Sequence, residues 1–152
     1  MSEASTPTRG EGGRKTFDLA LVTPEGPAFE GEVDMVIVRG DAGEIGVLAR
    51  HAPLIALLQA GSTRVYTNRA AEEVQEFATG PGFFTVEQDR ALALVDTAVN
   101  VREIDRAVAE EQLEQAKAEL ERVERGESEA DRWQLEQRIK AAENQLAAAG
   151  KS

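Results

Sequence analysis

The sequence predicts an all-β sandwich followed by a C-terminal antiparallel α-helical hairpin. Three observations predict it. Short alternating apolar runs, divided by Gly, Pro and Asn turn signals, fill residues 16–99. Near residue 100 the composition changes: Pro disappears, and Ala, Glu, Gln, Leu and Arg dominate. Beyond that point two apolar stripes recur at steps of four and three, the period of a helix face. The expected organisation is a polar tail over 1–15, a sandwich over 16–99, a hairpin over 100–149 and a short tail over 150–152.

The elements follow in order. Residues 1–15 hold no large apolar side chain after Met1, so they bury too little to offset their ordering entropy. Phe17, Leu19 and Leu21 alternate as a half-buried strand, and Thr23-Pro24-Glu25-Gly26 turns the chain. Phe29, Gly31, Val33, Met35 and Ile37 then line one face of a single run, with Val36 and Val38 on the other. Further runs cover 45–48, 54–58, 62–67, 74–79, 83–86 and 90–95. Short strands at this spacing suggest a sandwich or barrel.

In the helical part, Asn100 offers an N-cap, with Glu103 at capping-box spacing. Ala109, Leu113, Ala116, Leu120 and Val123 form the first stripe, and Gly126 ends that helix. Ser128 and Asp131 resemble a second capping box before Leu135, Ile139, Ala142, Leu146 and Ala149. A short loop makes the helices antiparallel, stripe against stripe. Four of these ten stripe residues are alanine, so the hairpin should lean on the sheet domain or on a partner. Trp133 lies off the stripe and is expected to pack on the sheet domain or anchor a partner.

Composition removes several function classes. The chain has no Cys and a single His, which excludes thiolate chemistry and argues against a zinc site. No apolar run approaches the roughly 18 residues of a membrane span. The N-terminus has no hydrophobic core of a secretory signal, so a cytoplasmic chain is the simplest expectation. Net charge is −11, without a basic face for nucleic acid, although an acidic chain suits a partner with a basic patch. His51 could be a catalytic base, a metal ligand, part of a packed turn or an interface contact. Catalysis needs a positioned partner. Glu44 is the obvious nearby carboxylate, and no serine lies within ten residues, so a turn or interface role is the stronger reading.

Several blocks together resemble a known family. Val22-Thr23-Pro24, Gly40-Asp41-Ala42-Gly43-Glu44-Ile45-Gly46-Val47-Leu48 and His51-Ala52-Pro53-Leu54-Ile55 resemble the epsilon subunit of the bacterial F-type ATP synthase. Gly61 after Leu57-Leu58-Gln59-Ala60, the Gly80–Phe83 turn and Leu94-Val95-Asp96-Thr97-Ala98 do so as well. Ala49 departs from the family's usual proline, and Gly80-Pro81-Gly82 from its plainer glycine pair. The resemblance spans roughly 17–149.

It implies a sandwich of about ten strands and a non-catalytic rotor subunit on the cytoplasmic face of the bacterial membrane. The implied partners are the gamma subunit, the ring of c subunits and the catalytic beta and alpha subunits. Nucleic acid is not among them, and the membrane is reached only through the complex. Asp41, Glu44 and His51 become candidates for the c-ring or gamma interface. Arg122, Arg125, Arg132, Arg138 and Lys140 become candidates for a hydrolysis-inhibiting hairpin contact with beta subunits. Their bland alternative is a charged helix surface with pairs such as Glu121–Arg125 and Glu136–Lys140. No cofactor is expected. ATP, which some members bind as a regulatory ligand, would use Ile104, Asp105 and Ala109, but Val108 stands where those members place an arginine. The competing class is a free-standing adaptor, with the sandwich as scaffold and the hairpin as a coiled-coil partner site.

Overall fold

The computed structural model describes residues 15–150. Of the expected tails over 1–15 and 150–152, residues 1–14 and 151–152 lie outside the described residues, and Gly150 is the C-cap of the second helix. The chain divides into two compact units between Asn100 and Val101.

The first unit is the β-sandwich. Its strands are β1 Phe17–Thr23, β2 Gly26–Val33, β3 Met35–Gly40, β4 Gly43–Leu48 and β5 Leu54–Leu58. They continue with β6 Gly61–Asn68, β7 Glu73–Thr79, β8 Gly82–Glu87, β9 Arg90–Val95 and β10 Ala98–Asn100. Hydrogen-bonded neighbours run β10-β7-β6-β3-β5-β8-β9-β1-β2, and β4 pairs with β3. β1 and β9 are parallel; the other pairs are antiparallel. The inward positions build one core from Phe17, Leu19, Leu21, Val33, Val36, Val38, Val65 and Phe84. Period-two alternation makes this possible, since every second side chain reaches the same face.

One expected run proves to be two strands. Residues 29–37 do not share a face throughout, because the chain bends at Asp34. Val33 is buried before the bend and Val36 and Val38 after it, so the inward parity flips. β2 pairs with β1, whereas β3 joins β4, β5 and β6. The carboxylate that makes this corner is buried and held. Arg69 N donates to both Asp34 oxygens at 2.9 and 3.1 Å, and Asp34 N donates to Tyr66 O at 2.9 Å.

Both glycines of the Gly80-Pro81-Gly82 turn have a steric reason. Gly80 N donates to Thr97 O, Asp96 N donates to Pro81 O, and β8 then presses its first residue on Leu94 O. A Cβ at Gly82 would overlap that carbonyl, and one at Gly80 would overlap the Asp96 carboxylate.

The second unit opens with a 3-10 turn, Val101–Glu103, followed by α1 Arg106–Glu124 and α2 Arg132–Ala149. Asn100 is the last residue of β10, opposite Phe77 and directly before the 3-10 turn, so it does not cap α1. Asp105 caps α1, accepting from Ala107 N at 3.0 Å and Val108 N at 3.2 Å. Gly126 ends α1 as expected, with φ 75°. Its N–H donates to Val123 O, and Glu127 N donates to Arg122 O, closing a Schellman motif. Asp131, not Ser128, caps α2 through Trp133 N at 2.9 Å and Gln134 N at 3.3 Å. The two helices pack on each other with Ala109, Ala116, Leu135 and Ala142 buried. Trp133 is exposed.

Gly82→Ala should lower stability by about 3 kcal/mol, as expected of overpacking against a fixed backbone. A denaturant melt checks this; an unchanged midpoint would show that β8 can move off Leu94.

Candidate functional site

The β3–β4 hairpin carries two of the expected site residues. Gly40 pairs with Gly43, leaving Asp41-Ala42 as a two-residue turn. Gln59 Nε2 donates to Asp41 Oδ1 at 2.6 Å, and Asp41 N donates to Leu57 O at 3.1 Å. Arg64 Nη2 donates to both oxygens of Glu44 at 3.0 and 3.1 Å. The turn is thus braced from β5 and β6, and both carboxylates already hold a partner from their own sandwich. His51 sits away from them, beyond the other end of β4. It follows Arg50, which has φ 66° and whose N–H donates to Asp89 Oδ1 at 2.6 Å. The imidazole Nδ1 lies 2.6 Å from Ala52 O. This is the geometry of a pinned turn. Among the described residues, no group of three His, Cys, Asp or Glu side chains could hold a metal.

The hairpin arginines are also engaged. Arg122 meets Glu119 at 2.9 Å, and Arg125 meets Glu127 at 3.2 Å and Glu121 at 3.8 Å. Arg132 bridges the helices to Glu124 at 2.9 Å and reaches Glu136 at 3.4 Å. Glu136 therefore pairs with Arg132 rather than Lys140. These three arginines cluster around the interhelical loop, while Arg138 and Lys140 lie further along α2. Exposed pairs of this kind contribute about 0–1 kcal/mol each, so they orient side chains more than they stabilise the hairpin. Of the nucleotide candidates, Asp105 is occupied as the α1 cap, Ala109 is buried and Ile104 N donates to Val101 O.

Sequence reasoning missed the most distinctive surface. β9 buries Ala91, Ala93 and Val95 and turns Leu92 and Leu94 outward, so the larger side chains face solvent. β5 exposes Ile55 (79%) and Leu57 (55%), and β8 exposes Phe83 (54%). The register aligns them. Leu57 faces Phe83, Phe83 faces Leu94, and Leu94 faces Val22 of β1. The next row runs Ile55, Thr85, Leu92 and Ala20. One side of four adjacent strands is therefore an apolar plate. The readable signal was apolar residues at both parities in Leu54–Leu58 and Ala91–Val95, the pattern of strands covered on two faces.

Comparison with known proteins decides the family. Residues 16–101 match the model of the ATP synthase delta/epsilon chain β-sandwich domain. The chain belongs to the ATP synthase epsilon-chain family. The Priestia megaterium epsilon chain is 39% identical over 106 residues, 70% of this chain and 77% of that one. The Bacillus pumilus epsilon chain is 33% identical over 137 residues, 90% of this chain and 99% of that one, so the likeness reaches the hairpin. Among solved structures, a chain of the Euglena gracilis mitochondrial ATP synthase (OSCP/F1/c-ring) superposes with a TM-score of 0.70. It is 25% identical and covers 94% of this chain and 88% of its own. A Tetrahymena thermophila mitochondrial ATP synthase central stalk/c-ring chain, 9% identical with a TM-score of 0.53, shares the fold.

In this epsilon-family hairpin the Glu119 carboxyl is perturbed. Ser128 Oγ donates to Glu119, the larger cause, and with Arg122 beside it this holds the Glu119 carboxyl below its usual range. A lowered carboxyl stabilises the fold above its ordinary pKa and loses that contribution as pH falls through the lowered value. Ser128→Ala should therefore melt below wild type near neutral pH, with the gap closing on acidification below the carboxylate range. Thermal melts followed by circular dichroism check this; a pH-independent gap would contradict it.

Proposed function

We propose that this epsilon chain is a rotor-stalk subunit that joins the c ring to the gamma subunit, transmits torque between them and catalyses nothing itself. The observation that carries this reading is the outward plate of Leu57, Phe83, Leu94, Ile55 and Leu92 on a braced sandwich. Contiguous exposed apolar surface on a small domain marks a protein interface. Covering it stabilises a contact by roughly 25 cal/mol per Å² of apolar area. A hydrogen-bonded sheet underneath gives that contact a stiff base, which torque requires. We assign the plate to gamma and the Asp41–Glu44 turn to the polar loops of the c ring.

The hairpin is the regulatory part of the same reading. Its arginines around the interhelical loop, with Arg138 and Lys140, would meet acidic segments of the catalytic subunits and restrain hydrolysis. ATP has no resident place in this proposal, because Asp105 caps α1 and Val108 supplies no cation. No helix among the described residues is long and apolar enough to cross a membrane. As part of the same proposal, the chain sits peripherally at the cytoplasmic face of the bacterial membrane, within the complex.

Phe83→Asp should cut co-purification with gamma at least about tenfold while leaving the melt nearly unchanged, since surface changes rarely destabilise. Undiminished co-purification would remove the plate from the gamma interface. Hydrolysis by the assembled complex should rise severalfold when residues 101–152 are deleted; an unchanged rate would remove the inhibitory role.

A further inference from the structure

The apolar plate ends in acid. Beyond the row of Ile55, Thr85, Leu92 and Ala20, the next row along β8, β9 and β1 reads Glu87, Arg90 and Asp18. On β2, Glu30 lies beside Ala20, at the end of the middle row. The two chemistries meet in a shallow depression of about 650 Å³, floored by Ala20, Thr85 and Leu92 and rimmed by Asp18, Glu30, Glu87 and Arg90. The dent exists because Ala20 and Thr85 are small where their row neighbours Leu92 and Ile55 are large. Three carboxylates against one guanidinium leave the rim acidic.

We infer that this depression receives a lysine or arginine side chain of the subunit that covers the apolar plate. The inference rests on the docking reading above and adds the partner's chemistry to it. A long cationic side chain suits both halves of the dent. Its methylenes lie on Ala20 and Leu92, and its charged head reaches Asp18, Glu30 and Glu87. A purely apolar occupant would strand carboxylates against a dry surface, which is costly. An acidic occupant would face like charge. Arg90 is the one cation among these four rim residues, so the rim keeps a net negative charge for an incoming cation. The acidic end thereby sets the rotational register of the partner on a plate that is otherwise non-directional, because apolar contact alone tolerates sliding.

The test uses the purified full-length chain and an ATP synthase complex stripped of this subunit. Rebinding kinetics are read at about 0.05 M and about 0.3 M salt, either side of physiological screening. Three chains are compared: wild type, Phe83→Asp, and the neutral isosteric pair Glu30→Gln with Glu87→Gln. Equal melts establish that all three are folded. The expected result is a loss of about tenfold in affinity for the double variant at low salt, mainly in association rate, and little difference at high salt. If wild type rebinds, Phe83→Asp fails and the double variant matches wild type at both salts, the cation site is overturned and the docking plate stands. If wild type itself does not rebind, both fall.

Discussion

A β-strand can hide only one of its two sides in the core of its own sandwich. In this chain β5, β8 and β9 carry large apolar side chains on the other side as well. That surplus is the constraint from which the remaining features follow. A sheet apolar on both faces is complete only when something covers the outer one, so the isolated chain is one half of an interface. The inner face explains the fold, and the outer face explains why the fold is kept rigid. Asp34 locks the corner between β2 and β3, Arg64 and Gln59 brace the β3–β4 turn, and Asp89 pins the turn that carries His51. Each removes a degree of freedom from a surface that must pass on force.

The hairpin obeys a different logic. Its helices meet largely through alanines, and its caps and loop are local devices: Asp105, Asp131, Gly126 and the Ser128–Glu119 bond. Its arginines are held by glutamates of the same hairpin, in exposed pairs weak enough to exchange for a partner's carboxylates. A thin apolar stripe with replaceable ion pairs is suited to changing partners, whereas the sandwich is suited to keeping one.

Much of this was legible in the residues. The alternation of Phe17, Leu19 and Leu21, the loss of Pro after residue 100 and the four-three stripes mark a sandwich followed by a helical hairpin. What escaped was set by tertiary context. Asp34 hides a strand break inside an unbroken apolar run, because its bend is held by an amide 35 residues away in sequence. Asn100 and Ser128 have the chemistry of caps, yet Asp105 and Asp131 compete with the same chemistry and win by position. The alternative weighed for the arginines, pairing within the hairpin, includes the Arg125–Glu121 pair that the structure holds; the in-chain partners of Asp41 and Glu44, Gln59 and Arg64, lie too far along the sequence to be read from it. The apolar plate was missed because Leu92 and Leu94 look like core residues until the register shows that Ala91 and Ala93 take that place.

Hydroxyl-radical footprinting of the side chains, on the free chain and on the assembled synthase, addresses the central claim most directly. Leu57, Phe83 and Leu94 should oxidise readily in the free chain and become strongly protected on assembly, while Trp133 is an internal reference for exposure in the free chain. Equal oxidation of those three residues in both states would mean that the outer plate stays bare in the working complex, and the account of a sheet covered on both faces would fail.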